Sequence, residues 1–133
     1  MNPAQFAKSY RSVAVTTATP GQLVLMLYDG ALRFLATAAR GFELTSTGEK
    51  YETINNNLLK TQLILRELQT SLDLKAGGEF AKTMWALYDF MLDQLRTANM
   101  QKVAGPIQTV EGLILELRGA WAQMLEQQSA VAA

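Results

Sequence analysis

Glu49 to Leu72 reads EKYETINNNLLKTQLILRELQTSL, and this stretch decides the fold. Ile54, Leu58, Thr61, Leu65, Leu68 and Leu72 follow one another in alternating steps of four and three. Such spacing gathers them on one stripe of an α-helix and scatters them over both faces of a strand, whose side chains alternate with a period of two. Neither Pro nor Gly interrupts the run. A stripe of this kind is a bundle seam, and a helix cannot bury its own seam, so partner helices must lie on either side in the chain.

Those partners are legible. Gly77-Gly78 breaks the pattern, and a third helix is expected from about Glu79 to Ala98 with Phe80, Met84, Leu87, Met91 and Leu95 on its core stripe. Upstream, Thr19-Pro20 combines an N-cap residue with proline at the first helical position, opening a helix that continues to about Phe42. Downstream, a fourth helix opens near Val103, tolerates Pro106 in its first turn, and carries Ile107, Val110, Ile114, Leu117, Trp121 and Met124 in steps of three and four. Prolines occur only at positions 3, 20 and 106, which leaves Gly21–Ala104 free of proline. Short connections between helices of similar length imply antiparallel neighbours. The expected fold is therefore all-α, an antiparallel up-down-up-down four-helix bundle over residues 19–128. A short N-terminal cap segment, 1–18, forms a lid or tail, and 129–133 a disordered tail.

The 133 residues suffice for one core and not for two. Apolar residues at 49% and charged residues at 18% exclude the disordered class. Twelve basic residues balance twelve acidic ones without a run of either sign, which argues against nucleic acid as partner, because phosphate binding needs a concentrated basic face. Zero net charge also leaves an oily surface little protection from self-association. The absence of both Cys and His removes thiolate chemistry, the usual metal ligands and the commonest general base. Met1 to Val15 lacks the apolar core of a signal peptide, and no apolar run approaches the roughly 20 residues that span a bilayer. A cytoplasmic protein without membrane insertion is expected.

Two helices carry more apolar surface than a core requires. At roughly 100° per residue the first helix spreads its apolar side chains over about 200°, from Leu23 and Phe34 through Ala38, Ala31, Val24, Leu35 and Tyr28 to Leu32 and Leu25. Leu27 and Ala31 are assigned to the core, and Leu25 and Leu32 to a partner groove. On the third helix Trp85 and Leu92 fall outside the core stripe, with Phe90 on the opposite flank. The fourth helix repeats glycine every seven residues, at Gly105, Gly112 and Gly119, opposite its core stripe. Each exposed interior glycine costs about 0.5–1 kcal/mol relative to alanine, a loss that a partner helix lying close to bare backbone would explain.

Catalytic chemistry is missing. A carboxylate pair such as Asp89 with Asp93 lies on a solvated face, a di-iron bundle needs Glu-x-x-His motifs that a His-free chain cannot supply, and no phosphate loop or nucleophile elbow occurs. No catalytic residue, cofactor or metal is expected.

Certain residues, in their order and spacing, carry a family likeness. Tyr10 precedes a Ser/Thr stretch, followed by Thr19-Pro20-Gly21-Gln22-Leu23 and Met26-Leu27-Tyr28-Asp29-Gly30. Then come Gly77-Gly78-Glu79, Leu87-Tyr88-Asp89-Phe90-Met91, Ala98-Asn99, Val110-Glu111-Gly112-Leu113 and Ala120-Trp121. Over nearly its whole length the chain resembles the FliS family of flagellar secretion chaperones. Phe90 stands where that family usually has tyrosine, and Gly105-Pro106 alters the first turn of the last helix. The resemblance implies a cytoplasmic four-helix bundle that binds the C-terminal region of flagellin, a segment disordered when free. It implies that this segment wraps the bundle as short helices, is kept from polymerising, and is delivered to the flagellar export apparatus. Amphipathic helices laid into apolar grooves are a recognition mode that fits the surplus arcs. Tyr10, Leu25, Leu32, Trp85, Leu92, Gly112, Leu113 and Gly119 are the candidate partner-binding residues, with Tyr10 anchoring the lid when flagellin is absent. The free protein is expected to be a monomer or weak dimer. The alternatives are a self-associating structural bundle and an enzyme with a carboxylate-only site.

Overall fold

In the computed structural model, which describes residues 17–132, four helices form: α1 over Pro20–Gly41, α2 over Thr47–Thr70, α3 over Gly78–Gln101 and α4 over Gly105–Ala132. No strand occurs among the described residues. Helix α1 starts where its cap dictates. The Thr19 hydroxyl accepts from the Gln22 amide at 3.2 Å, and the Gln22 side chain accepts in return from the Thr19 amide at 3.0 Å.

Paired contacts fix the direction of each helix. Between α1 and α2, Gly30 lies against Ile64 and Gly41 against Ile54, so the numbering rises on one helix as it falls on the other. Between α2 and α3, the Asn99 amide donates to the Asn55 side chain at 2.8 Å, and the Gln69 amide to the Trp85 carbonyl at 3.1 Å and to Asp89 at 2.7 Å. Between α1 and α4, the Trp121 indole donates to the Gly21 carbonyl at 2.8 Å and Arg118 to Asp29 at 2.5 Å. Each seam is antiparallel. Helices α1 and α3 therefore run together, α2 and α4 oppose them, and the pairings α1–α2, α2–α3, α3–α4 and α4–α1 close a ring.

The core lies inside that ring. Leu35, Ile54, Leu58, Leu65, Met91, Leu95, Ile107, Val110 and Ile114 are fully buried, as is Thr61, whose hydroxyl donates to the Asn57 carbonyl at 2.9 Å. A polar residue on the seam thus satisfies itself within its own helix. The turn between α2 and α3 is tightly built. Asp73 accepts from the amides of Lys75 and Ala76 at 3.1 and 2.9 Å, and a Cβ on Gly77 would stand 2.7 Å from the Asp73 carbonyl oxygen. Gly78 adopts φ +55°, a conformation that glycine enters without strain.

Four sequence expectations require correction. Phe80, placed on the core stripe of α3, is 69% exposed, because it stands in the first turn of α3 at the end of the bundle. Leu92, placed outside that stripe, is 3% exposed and part of the core. Helix α3 packs against both α2 and α4, so its buried stripe centres on Tyr88, Leu92 and Leu95, while Met84 and Leu87 are only partly buried. Leu27, assigned to the core, is also only partly buried. Finally, residues 129–132 continue α4. They contain neither glycine nor proline, and each further residue of an existing helix adds a hydrogen bond. The N-terminal cap segment falls almost wholly outside the described residues.

Candidate partner-binding surface

The surplus of α1 opens on the side facing α2. Leu23, Met26, Leu27 and Phe34 form one wall of a groove of about 570 Å³, and Ile64 the other. Gly30 lies on its floor, where a Cβ would come within 3.4 Å of Ile64, so the bare backbone lets the two helices approach. Lys60 places its ammonium 5.4 Å from the centre of the Phe34 ring, covering one aromatic face with a cation. Asp29, Arg33 and Glu67 edge the groove. An apolar trough with charged edges suits an amphipathic helix laid lengthwise.

A second, more polar groove of about 940 Å³ runs between the start of α1 and the end of α4. Leu25, Ala122 and Leu125 supply its apolar surface, with Thr19, Gln22 and Glu126 among its polar residues. Arg118 lines it and reaches Asp29 on the crest of α1, so one ion pair stands between the two grooves. The bond to Asp29, followed by its charge, raises the pKa of Arg118 above its ordinary value and secures the cation.

The outer face of α4 is bare. Gly105, Gly112 and Gly119 are exposed, and a Cβ on any of them would meet no atom within 4 Å. Leu115 is exposed on the same helix. At the end of the bundle where α1 and α3 begin, Tyr28 and Tyr88 are buried with their hydroxyls 2.6 Å apart. Burial drives the pKa of each phenol upward, so both stay protonated.

The sequence-derived candidates do not converge on one site. Leu25 is partly buried in the α1–α4 groove, whereas Leu32 is partly buried against the core. Trp85 is partly buried and its carbonyl accepts from Gln69. Leu113 packs partly buried against the core beside the open Gly112, and Gly119 lies one heptad further along. Leu92 is core. Tyr10 lies outside the described residues. The more apolar groove instead involves Leu23, Met26, Leu27, Phe34 and Ile64, at the opposite end of the α1 arc from Leu25 and Leu32. Gly30, inside the wide-arc helix α1, was the available signal for a close helix approach there.

Among the described residues no cluster of His, Cys, Asp and Glu could hold a metal ion, and no helix is long and apolar enough to cross a membrane. A family model described as flagellar protein FliS matches residues 2–128. Three curated relatives are each named flagellar secretion chaperone FliS. That of Bacillus subtilis (strain 168) is 38% identical over 120 residues, covering 90% of this chain and 86% of the relative. That of Salmonella typhimurium is 35% identical over 128 residues, covering 93% of each. That of Escherichia coli K12 is 30% identical over 112 residues, covering 84% and 80%.

Proposed function

Because the chain belongs to the FliS family of flagellar proteins, we propose that it is a flagellar secretion chaperone whose client is the C-terminal region of flagellin. It acts in the cytoplasm without cofactor or active site. By occupying the apolar stripes of an unfolded client segment it lowers the concentration of free sticky chain, and it carries the segment to the export apparatus. The observation that supports this reading is the open apolar groove between α1 and α2, which a globular monomer would otherwise expose to water. The bare outer face of α4 offers a second place for a client helix to lie close to backbone.

A self-associating bundle is the competing reading, favoured by the exposed Leu59 and Leu63 on α2 and by zero net charge. Calorimetric titration of the full chain with a peptide of the flagellin C-terminal region, together with sedimentation of each component, tests the choice. A 1:1 complex with a negative heat-capacity change is expected, since apolar surface is buried. Met26→Glu, which puts a charge into the groove, is expected to weaken binding at least tenfold while leaving helicity unchanged. A stable dimer that ignores the peptide would overturn the chaperone reading in favour of self-association.

A further inference from the structure

The chain has no cysteine, so the thioethers of its methionines are its most readily oxidised side chains. The described methionines sit in different surroundings. Met91 is fully buried, Met84 packs partly buried against the core, Met124 is partly buried on α4, and Met100 is 78% exposed near the end of α3. Only Met26 lines the α1–α2 groove, where it is partly exposed beside Leu23, Leu27 and Phe34. A small oxidant therefore reaches its sulfur from the same side as a client side chain would. Gly30 follows one turn later on the same stripe, and a Cβ there would stand 3.6 Å from a terminal nitrogen of Arg33. The guanidinium thus leans back over Gly30 toward the turn that carries Met26, as side chains on a helix slope toward its N-terminus. Among the described residues no carboxylate takes up that guanidinium. A thioether makes little use of such donors, whereas the oxygen of a sulfoxide is polar and accepts from them.

We infer that Met26 is a redox modification site, at which a peroxide converts the thioether to the sulfoxide and thereby lowers the affinity of the α1–α2 groove for its client. The inference rests on the chaperone reading and adds a means of regulation to the same groove. In the step itself a sulfur lone pair takes one oxygen of hydrogen peroxide as the O–O bond breaks. The proton of the transferred oxygen goes to the departing hydroxide, which leaves as water. The sulfur gives up two electrons and the peroxide gains them. A flexible apolar wall then carries a fixed dipole, which the apolar stripe of a client would have to bury, and the Arg33 donors hold that dipole inside the trough. The change is reversible, because a methionine sulfoxide reductase returns the thioether as two of its thiols join in a disulfide and the oxygen leaves as water.

The test treats the full chain with hydrogen peroxide, stops the reaction with catalase, and follows it by peptide mass mapping and by calorimetric titration with an untreated flagellin C-terminal peptide. Mapping is expected to find oxygen added at Met26 and at the exposed Met100, with Met91 still a thioether. The treated chain is expected to bind about fivefold more weakly or worse, the lower end of the cost of burying a polar group without full compensation. A methionine sulfoxide reductase supplied with dithiothreitol is expected to restore the affinity. Met26→Leu isolates the site: compared with its own untreated affinity, it is expected to show no loss on treatment, although Met100 still takes up oxygen. Met26→Gln, which places a permanent polar group on the wall, is expected to bind weakly without any peroxide. Circular dichroism verifies that each preparation keeps its helix content. The switch is overturned by a Met26→Leu chain that loses as much affinity on treatment as the wild type, by a Met26 that stays reduced while Met100 is oxidised, or by a chain oxidised at Met26 that binds as before. Each of these leaves the chaperone reading standing. An untreated wild-type chain that binds no flagellin peptide removes both.

Discussion

Replacing Gly112 and Gly119 by alanine is expected to raise the stability of the free protein. Both residues lie inside α4, and the methyl group each would gain meets no atom within 4 Å, so nothing has to move. Each substitution removes the backbone freedom of an interior helical glycine, worth about 0.5–1 kcal/mol. Seven residues separate the sites by about 10 Å along the axis, far enough for the effects to add. The sum, about 1–2 kcal/mol, corresponds to a rise in Tm of about 3–10 °C for a domain of this size. Thermal melts followed by far-UV circular dichroism measure it. Gly77→Ala serves as the opposing control, because its methyl would stand 2.6 Å from Ala81 and 2.7 Å from a carbonyl oxygen, and it is expected to lower Tm. An unchanged or lower Tm in the double variant would mean that the outer face of α4 is not open, and the argument for docking there would fail. With the face open, Gly112→Leu folds normally but obstructs a client helix. Unaltered flagellin-peptide affinity in that variant would remove the face from the site.

Two further outcomes follow from burial and protonation. Leu35→Ala, at a fully buried position, is expected to cost about 2.7–5 kcal/mol, whereas Leu27→Ala on the groove wall costs less stability and more client affinity; equal destabilisation in paired melting and binding curves would make that wall part of the core. The raised phenol pKa values of Tyr28 and Tyr88 set an alkaline limit: above about pH 10 the unfolded chain loses phenolic protons that the folded chain retains, so stability falls as pH rises, by at most about 2.7 kcal/mol per pH unit for the pair. Denaturant melts between pH 9 and 11 should show a slope that the double variant Tyr28→Phe with Tyr88→Phe flattens, and an identical slope in both would contradict the burial of these hydroxyls.

Much of the fold was legible because helix packing writes a simple period into the chain. The seam of α2 is buried from Ile54 to Leu68, and the start of α1 follows its Thr19-Pro20 signal. The site was less legible, for a geometric reason. The arc of α1 exceeds one core stripe, but periodicity does not say which flank faces a neighbour and which faces water. The sequence reading opened the flank of Leu25 and Leu32, whereas the more apolar groove is lined by Leu23, Met26, Leu27 and Phe34. Leu92 and Phe80 failed similarly. One depends on two neighbouring helices meeting over α3, the other on where the bundle ends, and neither is written in the local spacing. The Tyr28–Tyr88 pair joins residues 60 apart in the chain and leaves no local trace.

The ring of helices also has an order in time. Three of its four seams join helices consecutive in the chain, and only the seam between α1 and α4 waits for residues as much as 100 positions apart, as Gly21 and Trp121 are. Every residue lining the α1–α2 groove lies between Leu23 and Glu67. Both walls of the groove are therefore synthesised before α3 and α4, and the α1–α2 hairpin, whose contacts are local and quick to form, can pair first. The surface assigned to the client is then the oldest part of the structure during synthesis, and closure of the ring by α4 is the final step.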